Sequence, residues 1–320
     1  MAVHPLRRAL GFLVGFLVLF FLAALAVSLT HDHSGRLSLG SDHSVALVPL
    51  EGEIRSSDDF VETLDDLADR GSIAAVVVRI NSPGGAVAPS QEMYAAVRRL
   101  REKKPVVASL GSVAASGGYY VASAADVVVA NPGTLTGSIG VILSLANVTG
   151  LLEKIGVQAE VLKAGSYKDM GSPFRPMTDE DRAAFQEMLD QVHTQFIDAV
   201  ATGRKMDPAD ARRIANGRVY TGQQAKDLGL VDELGGVEEA VRIAASRSGI
   251  TGEPTVERIS PTRRPWWLRM LMSDRVAIPA ETSLPLGIFE WLAKAADRSV
   301  TGDQAPVLWR MPIATDGIRW

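Results

Sequence analysis

The sequence of 320 residues contains no cysteine. Disulfide bonds, thiolate nucleophiles and cysteine-ligated metal sites are therefore excluded. Histidine is scarce as well: four of the five precede residue 45, and only His193 lies in the body of the chain. No paired histidine spacing of the kind that holds a metal occurs there. The net charge of −4 provides no basic field for nucleic acid. We therefore expect neither metal, cofactor nor nucleic acid.

A long uncharged apolar run covers Ala9–Leu29. As a helix it would span roughly 30 Å, the thickness of a bilayer core. Arg7 and Arg8 precede it, so the positive-inside tendency puts residues 1–8 in the cytoplasm and the remaining chain outside. Its length favours a retained single-pass anchor in the inner or plasma membrane. A cleaved signal peptide is the alternative, because Ala24–Ala26 offers a small-x-small pattern. Either interpretation exports the body of the protein.

The chain divides into five predicted segments. These are the cytoplasmic N-terminus (1–8), the transmembrane anchor (9–29), a linker (30–44), a globular domain (45–250) and a Trp/Pro-rich tail (251–320). The tail contains all five tryptophans, at positions 266, 267, 291, 309 and 320. Cations lie among its aromatic residues, as in membrane-surface segments, but its prolines favour a tail packed on the domain or on another subunit.

Apolar β-branched runs alternate with helical patterns through the globular domain. The predicted strands are Val45–Leu50, Ile73–Ile80, Pro105–Leu110, Asp126–Ala130 and Val157–Leu162. The predicted helices are Asp58–Ala68, Gln91–Arg101, Ser116–Ala125, a long helix from Thr178 to Thr202, Pro208–Asn216, Gly222–Leu228 and Val237–Ser248. Short continuous apolar strands separated by helices indicate an α/β fold with a mostly parallel, covered sheet.

Ser116 lies where the third predicted strand turns into a short helix, among Ala114, Ala115, Gly117 and Gly118. Helix N-terminal amides favour developing negative charge, and small neighbours leave room for another chain. A simple N-cap serine in a closely packed turn fits the local pattern equally well. If Ser116 is a nucleophile, histidine is a poor candidate for its base, because His193 lies on a charged helix. Lysine is the main alternative base.

Two further segments follow predicted strands. Asn81–Gly85 contains a Pro-Gly-Gly turn whose backbone amides could form an oxyanion hole or an ordinary turn. Lys163–Asp169 offers two lysines, Lys163 and Lys168, after the strand predicted at Val157–Leu162. Parallel sheets place active sites at such strand ends. The local sequence does not decide between the two lysines or exclude that both are solvated.

Five blocks together resemble the signal peptide peptidase A family of Ser-Lys proteases, in its short single-domain form. The matching blocks are INSPGG (80–85), AASGGYYVASAAD (114–126), TLTGSIGVI (134–142), GSYKDMGSPFRPMT (165–178) and GRVYTGQQAKDLGLVD (217–232). They keep one order and fall within residues 45–248, and the N-terminal apolar run matches as well. Any one block would be a weak signal, whereas five in series are specific.

The resemblance implies a ClpP/crotonase-like fold of ββα units and a peptidase domain over residues 45–250. It implies that Ser116 is the nucleophile, that Lys168 rather than Lys163 is its base, that Gly85 and Gly117 supply oxyanion-hole amides, and that Ser138 orients the lysine. It also implies a homo-oligomeric ring that digests apolar peptides such as cleaved signal peptides. In some members the lysine comes from an adjacent subunit, and the sequence leaves that point open.

A lysine base at neutral pH needs its pKa lowered by about three units from about 10.4, which burial can provide. We therefore expect Lys168 to be desolvated and within hydrogen-bond reach of Ser116. Three alternatives stay open: a related membrane Ser-Lys protease with a specific membrane-protein substrate, a crotonase-like acyl-CoA enzyme, and a catalytically inactive scaffold that binds peptides by strand addition.

Overall fold

The computed structural model describes residues 43–261 and the backbone of residues 318–319. The predicted anchor, nearly all of the linker and most of the Trp-rich tail lie outside these residues. Among the helices of residues 43–261, none combines the length and the apolar character needed to cross a bilayer. The predicted anchor at 9–29 therefore stays a prediction.

Strands and helices alternate along the first half of the described chain, as the sequence pattern predicts. The strands are β1 (Ser44–Glu51), β2 (Ile73–Ser82), β3 (Val106–Ala115), β4 (Val127–Ala130), β5 (Leu135–Gly137), β6 (Ile142–Leu143), β7 (Val219–Thr221), β8 (Glu233–Leu234), β9 (Val256–Arg258) and β10 (Ile318–Arg319). The helices are α1 (Asp58–Asp69), α2 (Val87–Arg101), α3 (Gly117–Ala122), α4 (Thr149–Lys154), α5 (Asp179–Arg204), α6 (Pro208–Ile214), α7 (Gly222–Asp227) and α8 (Val237–Arg247).

The main sheet is mostly parallel, which confirms the α/β prediction. Its order is β7-β5-β3-β2-β1-β9, and β4 and β8 branch from β3. Only the β5–β7 pair in this sheet, as described, is antiparallel. The first half of β3 pairs with β4 and its last three residues pair with β5. This division at β3 brings the end of β3 beside the end of β5.

Alternate residues of the central strands point into two apolar layers. One layer packs Val76, Val78 and Ile80 of β2 under α1, α2 and α3. The other packs Ala75 and Val77 against the small residues of α8. Because both faces are covered, the strands read as continuous apolar runs rather than as alternating patterns.

The helix predicted to begin at Thr178 is confirmed with its cap. The Thr178 hydroxyl accepts from the Asp181 N–H, and the Asp181 carboxylate accepts from the Thr178 N–H, which forms a capping box. Most of the fully buried residues of α5 lie between Phe196 and Gly203. The C-terminal third of α5 therefore packs on the core, and its N-terminal half is free to support other chain segments.

The strand predicted at Val157–Leu162 is wrong. These residues form neither strand nor helix, and all of them are exposed. A strand needs a neighbour for its backbone groups, and among the described residues of one chain this segment has no strand beside it. Val157, Val161 and Leu162, the apolar residues of this predicted strand, are exposed in the single chain.

Two short strands come from the segment that the sequence assigns to the tail. β9 adds to β1 in parallel at the edge of the main sheet. The backbone of Ile318–Arg319 pairs antiparallel with Ile142–Leu143. The predicted boundary between residues 250 and 251 stays a prediction, although the first residues after it continue the sheet.

Candidate active site

Ser116 occupies the predicted turn between β3 and α3 in a backbone conformation that serine rarely adopts. Its φ is 54° and its ψ is −124°, a combination that favours glycine. Its N–H donates to the Gly137 carbonyl at 2.9 Å, which ties the turn to β5. Its side chain makes no cap to the helix. Ser116 is therefore not the simple N-cap that its local sequence also allowed.

The Ser116 hydroxyl is buried and has no hydrogen-bond partner. The residue is 3% exposed, and Oγ accepts and donates no bond within the described chain. A buried unpaired hydroxyl in a strained turn costs free energy, and such positions concentrate at functional sites. Ser116 is therefore a candidate functional residue.

Gly84 packs directly on the Ser116 turn. A Cβ at Gly84 would lie 2.6 Å from the Gly117 nitrogen and 2.9 Å from the Ser116 Cβ, so only glycine permits this approach. The Gly84 N–H donates to the Ser82 hydroxyl at 3.1 Å. Gly84 therefore packs against Ser116, but its N–H group is already bonded to Ser82.

Gly85 is positioned by Ile54, a residue that the sequence analysis did not single out. The Ile54 N–H donates to the Gly84 carbonyl at 2.9 Å, and the Ala86 N–H donates to the Ile54 carbonyl at 2.8 Å. Successive amides of an extended segment point to opposite sides. The Gly85 N–H therefore points away from Ile54. The Gly117 N–H is at the first position of α3, where no intrahelical acceptor exists.

Ser138 follows β5 as Ser116 follows β3. Ala115 and Gly137 are paired in register, so the two serines come next on adjacent strands. Ser138 also has a positive φ, 51°, and its N–H donates to the Arg218 carbonyl at 2.8 Å. The structure thus places Ser138 beside the Ser116 turn, and Ser138 is a second serine with a strained backbone.

His193 lies on the half-buried side of α5 rather than on the open surface that its charged neighbours suggested. Its Nε2 is buried without a hydrogen-bond partner. Since the Ser116 hydroxyl also has no partner, the two side chains are not bonded to each other. That histidine is a poor candidate for the base of Ser116 stays a prediction.

Lys168 makes no hydrogen bond to the Ser116 hydroxyl within the described chain. It lies in a series of turns from Gly165 to Ser172, its side chain is exposed, and the Ser116 hydroxyl has no partner. The prediction that Lys168 is desolvated and hydrogen-bonded to Ser116 is therefore wrong for the isolated chain. The physical reason is that, among residues 43–261, the preceding segment has no strand to pair with and the side chain of Lys168 stays exposed.

We call residues 155–175 the lysine segment. Large apolar side chains are exposed along it, with Leu162 reaching 92%. The exposed apolar residues are Ile155, Val157, Val161, Leu162, Tyr167 and Phe174. Exposed apolar residues that lie close together are typical of surfaces that contact another molecule.

A cluster of charges holds the end of the lysine segment. Both oxygens of Asp169 accept from Arg175, at 2.8 Å from Nε and 3.0 Å from the second terminal nitrogen, and Lys163 Nζ donates at 2.6 Å. Arg175 also donates to Asp181 at the start of α5. The Arg175 hydrogen bonds hold the pKa of Asp169 well below its usual range, and Lys163 adds to this effect.

Asp169 and Arg175 lie in the block at residues 165–178 that resembles the family, whereas Asp181 follows that block. Asp169, Arg175 and Asp181 are spaced by six residues each. Acidic residues in a first helical turn normally indicate only a favourable interaction with the helix dipole. What the sequence did not reveal is that one guanidinium bridges two carboxylates from different elements.

Comparison with known proteins gives a consistent result. Residues 98–251 match peptidase family S49, a range that includes Ser116, Ser138 and Lys168 but not Gly85. A putative signal peptide peptidase SppA of Enterococcus faecium is 33% identical over 237 residues, which are 73% of this chain and 69% of that protein.

Two further relatives are named putative proteases. One from Synechocystis is 47% identical over 55% of this chain, and one from Methanocaldococcus jannaschii is 39% identical over 62% of it. The chain spans 64% of the length of each of these two. The parallel-rich sheet fits the same family. With the matched family range and a relative covered over more than two thirds of its length, the chain belongs to peptidase family S49, the family of SppA.

Proposed function

We propose that the protein cleaves peptides with Ser116 as nucleophile and Lys168 as general base. The observation that carries this proposal is the Ser116 turn, a strained backbone that buries an unpartnered hydroxyl beside two glycine-rich segments. Gly85 and Gly117 supply the oxyanion hole, and Ser138 orients the lysine. The occupied Gly84 amide and the direction of the Gly85 amide support Gly85 over Gly84 in this role.

The reaction follows from these roles. The Ser116 hydroxyl oxygen attacks the scissile carbonyl carbon while its proton passes to the neutral Lys168 amine. The negative charge that develops on the carbonyl oxygen is stabilised by the N–H groups of Gly85 and Gly117. Lys168 returns the proton to the leaving amine as the C–N bond breaks. A water molecule, deprotonated by the same lysine, then hydrolyses the Ser116 ester and regenerates the hydroxyl.

The lysine in this proposal comes from a neighbouring copy of the chain. Two observations support this arrangement: the isolated chain leaves the Ser116 hydroxyl without a partner, and it exposes Lys168 at the end of an apolar segment. Docking of the lysine segment on a second copy would bury both. In a homo-oligomeric ring of ClpP/crotonase-like protomers, every subunit would receive a lysine from one neighbour and supply a lysine to the other.

Complementation between inactive variants tests the proposal. Ser116→Ala and Lys168→Ala are each expected to lose activity on a fluorogenic apolar peptide by a factor on the order of 10³ or more. Coexpressed, they should regain activity, because Ser116 of one variant meets Lys168 of the other. Coexpression of Ser116→Ala with a Ser116→Ala, Lys168→Ala double variant is the control that stays inactive. Failure to regain activity would place both groups in one chain.

Labelling of the serine provides an independent measurement. A fluorophosphonate probe should modify the wild-type protein and Lys163→Ala but not Ser116→Ala. Labelling that persists in Ser116→Ala would show that another serine is the nucleophile. Lys163→Ala serves as the matched lysine control, because Lys163 pairs with Asp169 and is the rival for the role of base.

Membrane anchoring, an extracytoplasmic domain and apolar peptide substrates complete the proposal. The apolar run at Ala9–Leu29 and the preceding Arg7 and Arg8 support a single-pass anchor. A site near the outer membrane surface would meet peptides that leave the bilayer, such as cleaved signal peptides. Protease protection of residues 43–261 in sealed inside-out and right-side-out vesicles would test the predicted orientation.

A further inference from the structure

We propose that Arg175 is a positioning residue for Lys168. It joins the end of the lysine segment to α5, and it pairs with the carboxylate of Asp169, the residue next to Lys168. This inference rests on the proposed role of Lys168 as the base. The clamp consists of Arg175, Asp169 and Asp181, with Lys163 as an additional donor. None of its members needs to touch a substrate.

Lys168 and Asp169 are held in place by different contacts. Lys168 itself is fixed only by local turns, since its N–H donates to the Gly165 carbonyl at 3.2 Å and its side chain is exposed. The next residue, Asp169, is 10% exposed in its side chain and accepts three charge-assisted bonds. The position of Lys168 is therefore set through its neighbour Asp169.

Arg175 connects the loop to α5. The Arg175 guanidinium donates to Asp169 through Nε and one terminal nitrogen, and through the other terminal nitrogen to Asp181 and to the Pro176 carbonyl. Asp181 is 3% exposed and belongs to the Thr178 capping box. One planar cation thus joins the lysine loop to the first turn of a 26-residue helix.

Close packing supports the same anchorage. Gly171 has a φ of 78°, and a Cβ there would lie 3.1 Å from the Phe185 ring and 3.5 Å from Leu145. The loop therefore lies against α5 on one side and is bridged to it by Arg175 on the other. Because the C-terminal part of α5 is embedded in the core, this route connects the Lys168 loop to the rigid part of the domain.

The negative charge of Asp169 lies next to Lys168 in the sequence. A carboxylate next to a lysine favours the ammonium form, which cannot act as a base. Here Asp169 accepts three hydrogen bonds from Arg175 and Lys163, and the two positive charges offset the charge of its carboxylate beside Lys168. The clamp thereby keeps a neighbouring carboxylate from holding the base in its inactive form.

The experiment compares two clamp variants that act differently on charge. The full-length protein in detergent is assayed with a fluorogenic apolar peptide, and kcat, KM and the pH dependence of kcat/KM are measured. Arg175→Met should lower kcat by about tenfold to a hundredfold with KM within about twofold, because misplacement by about 1 Å can cost a factor of 10². It should also move the acid limb of the profile to higher pH, because Asp169 is released beside Lys168.

Asp169→Asn separates positioning from charge. It should lower kcat comparably without moving the acid limb to higher pH, because the freed carboxylate is gone. It leaves the Arg175–Asp181 contact in place, so it tests the clamp even if Arg175→Met does not fold. The control is Arg182→Met, an exposed arginine on the same helical turn as Asp181, which should match the wild type.

The outcomes distinguish a failure of the clamp from a failure of the proposed Ser116–Lys168 pair, which we call the dyad. Wild-type kcat in both clamp variants, or an unmoved acid limb in folded Arg175→Met, would overturn the clamp. Lys168→Ala is measured in parallel. If it is inactive while the clamp variants behave as the wild type, only the positioning role is wrong. If Lys168→Ala is fully active, the dyad itself is wrong, and the clamp has no base to position.

Discussion

The Ser116 turn and the lysine segment carry the two proposed halves of one reaction but are built in opposite ways. The Ser116 turn is buried, lies between β3, β5 and the Ser82–Gly85 turn, and depends on glycine for close contact. The lysine segment exposes its apolar residues and is held at its end by ion pairs. The proposed nucleophile requires a fixed geometry, whereas a segment that we propose joins another copy must keep its contact surface exposed until assembly.

The contrast predicts that changes near Ser116 reduce stability, and Gly84→Ala should have the largest effect. The new methyl group would collide with the Gly117 nitrogen and the Ser116 Cβ at a position with φ of 99°. We expect a loss of about 3 kcal/mol in the free energy of unfolding. Urea denaturation measures it. Gly133→Ala, where a Cβ meets nothing within 4 Å, is the control. Equal stabilities of the two variants would contradict the described contact.

Changes to the exposed apolar residues of the lysine segment should instead reduce activity and leave the stability of the chain unchanged. Leu162→Asp places a charge on a side chain that is 92% exposed in one chain but that we propose is covered in the assembly. We expect activity to fall at least about tenfold, with a smaller assembly mass and an unchanged unfolding midpoint of the separated chain. Glu160→Gln, in the same exposed stretch, is the control. Unchanged mass and activity in Leu162→Asp would show that this surface is not a contact.

The strain at Ser116 gives a third way to test the comparison. Ser116→Gly removes the hydroxyl and also relieves the positive φ, whereas Ser116→Ala removes the hydroxyl alone. Both should be inactive, and the glycine variant should be more stable than the alanine variant by about 1 kcal/mol. Thermal unfolding monitored by circular dichroism measures the difference. If alanine were the more stable, the backbone strain would be absent.

The smallest expected effect concerns pH and the clamp. Hydrogen bonds from Arg175, and then from Lys163, lower the pKa of Asp169 from its ordinary value of 3.8. A lowered carboxyl pKa contributes stability that is present above the ordinary value and is lost as pH falls toward the folded-state pKa. The stability difference between wild type and Asp169→Asn should therefore be constant from about pH 9 to 5 and shrink below about pH 4. A difference that already changes at pH 6 would contradict this.

Most regular elements of the described chain were predictable because local pattern and tertiary environment agree there. Continuous apolar β-branched runs gave β1 and β2, and the Thr178 cap with its acidic first turn gave α5. The strand prediction at Val157–Leu162 was wrong because an apolar pattern shows that a segment can pair with a strand, but it does not show whether a partner strand is present. The sequence also could not show that Gly84 contacts Ser116, because that contact joins residues 32 positions apart.

The order of the motif blocks was enough to identify the family and, through it, Ser116 and Lys168 as the residues to test. Covalent order is a property of the chain, and five spaced blocks carry it without coordinates. Tertiary structure decided what the blocks do in space: it left the Ser116 hydroxyl buried with no hydrogen bond to Lys168, and it bridged Asp169 to Asp181 through Arg175. These facts depend on distances between elements, which packing and charge pairing set and which no local pattern records.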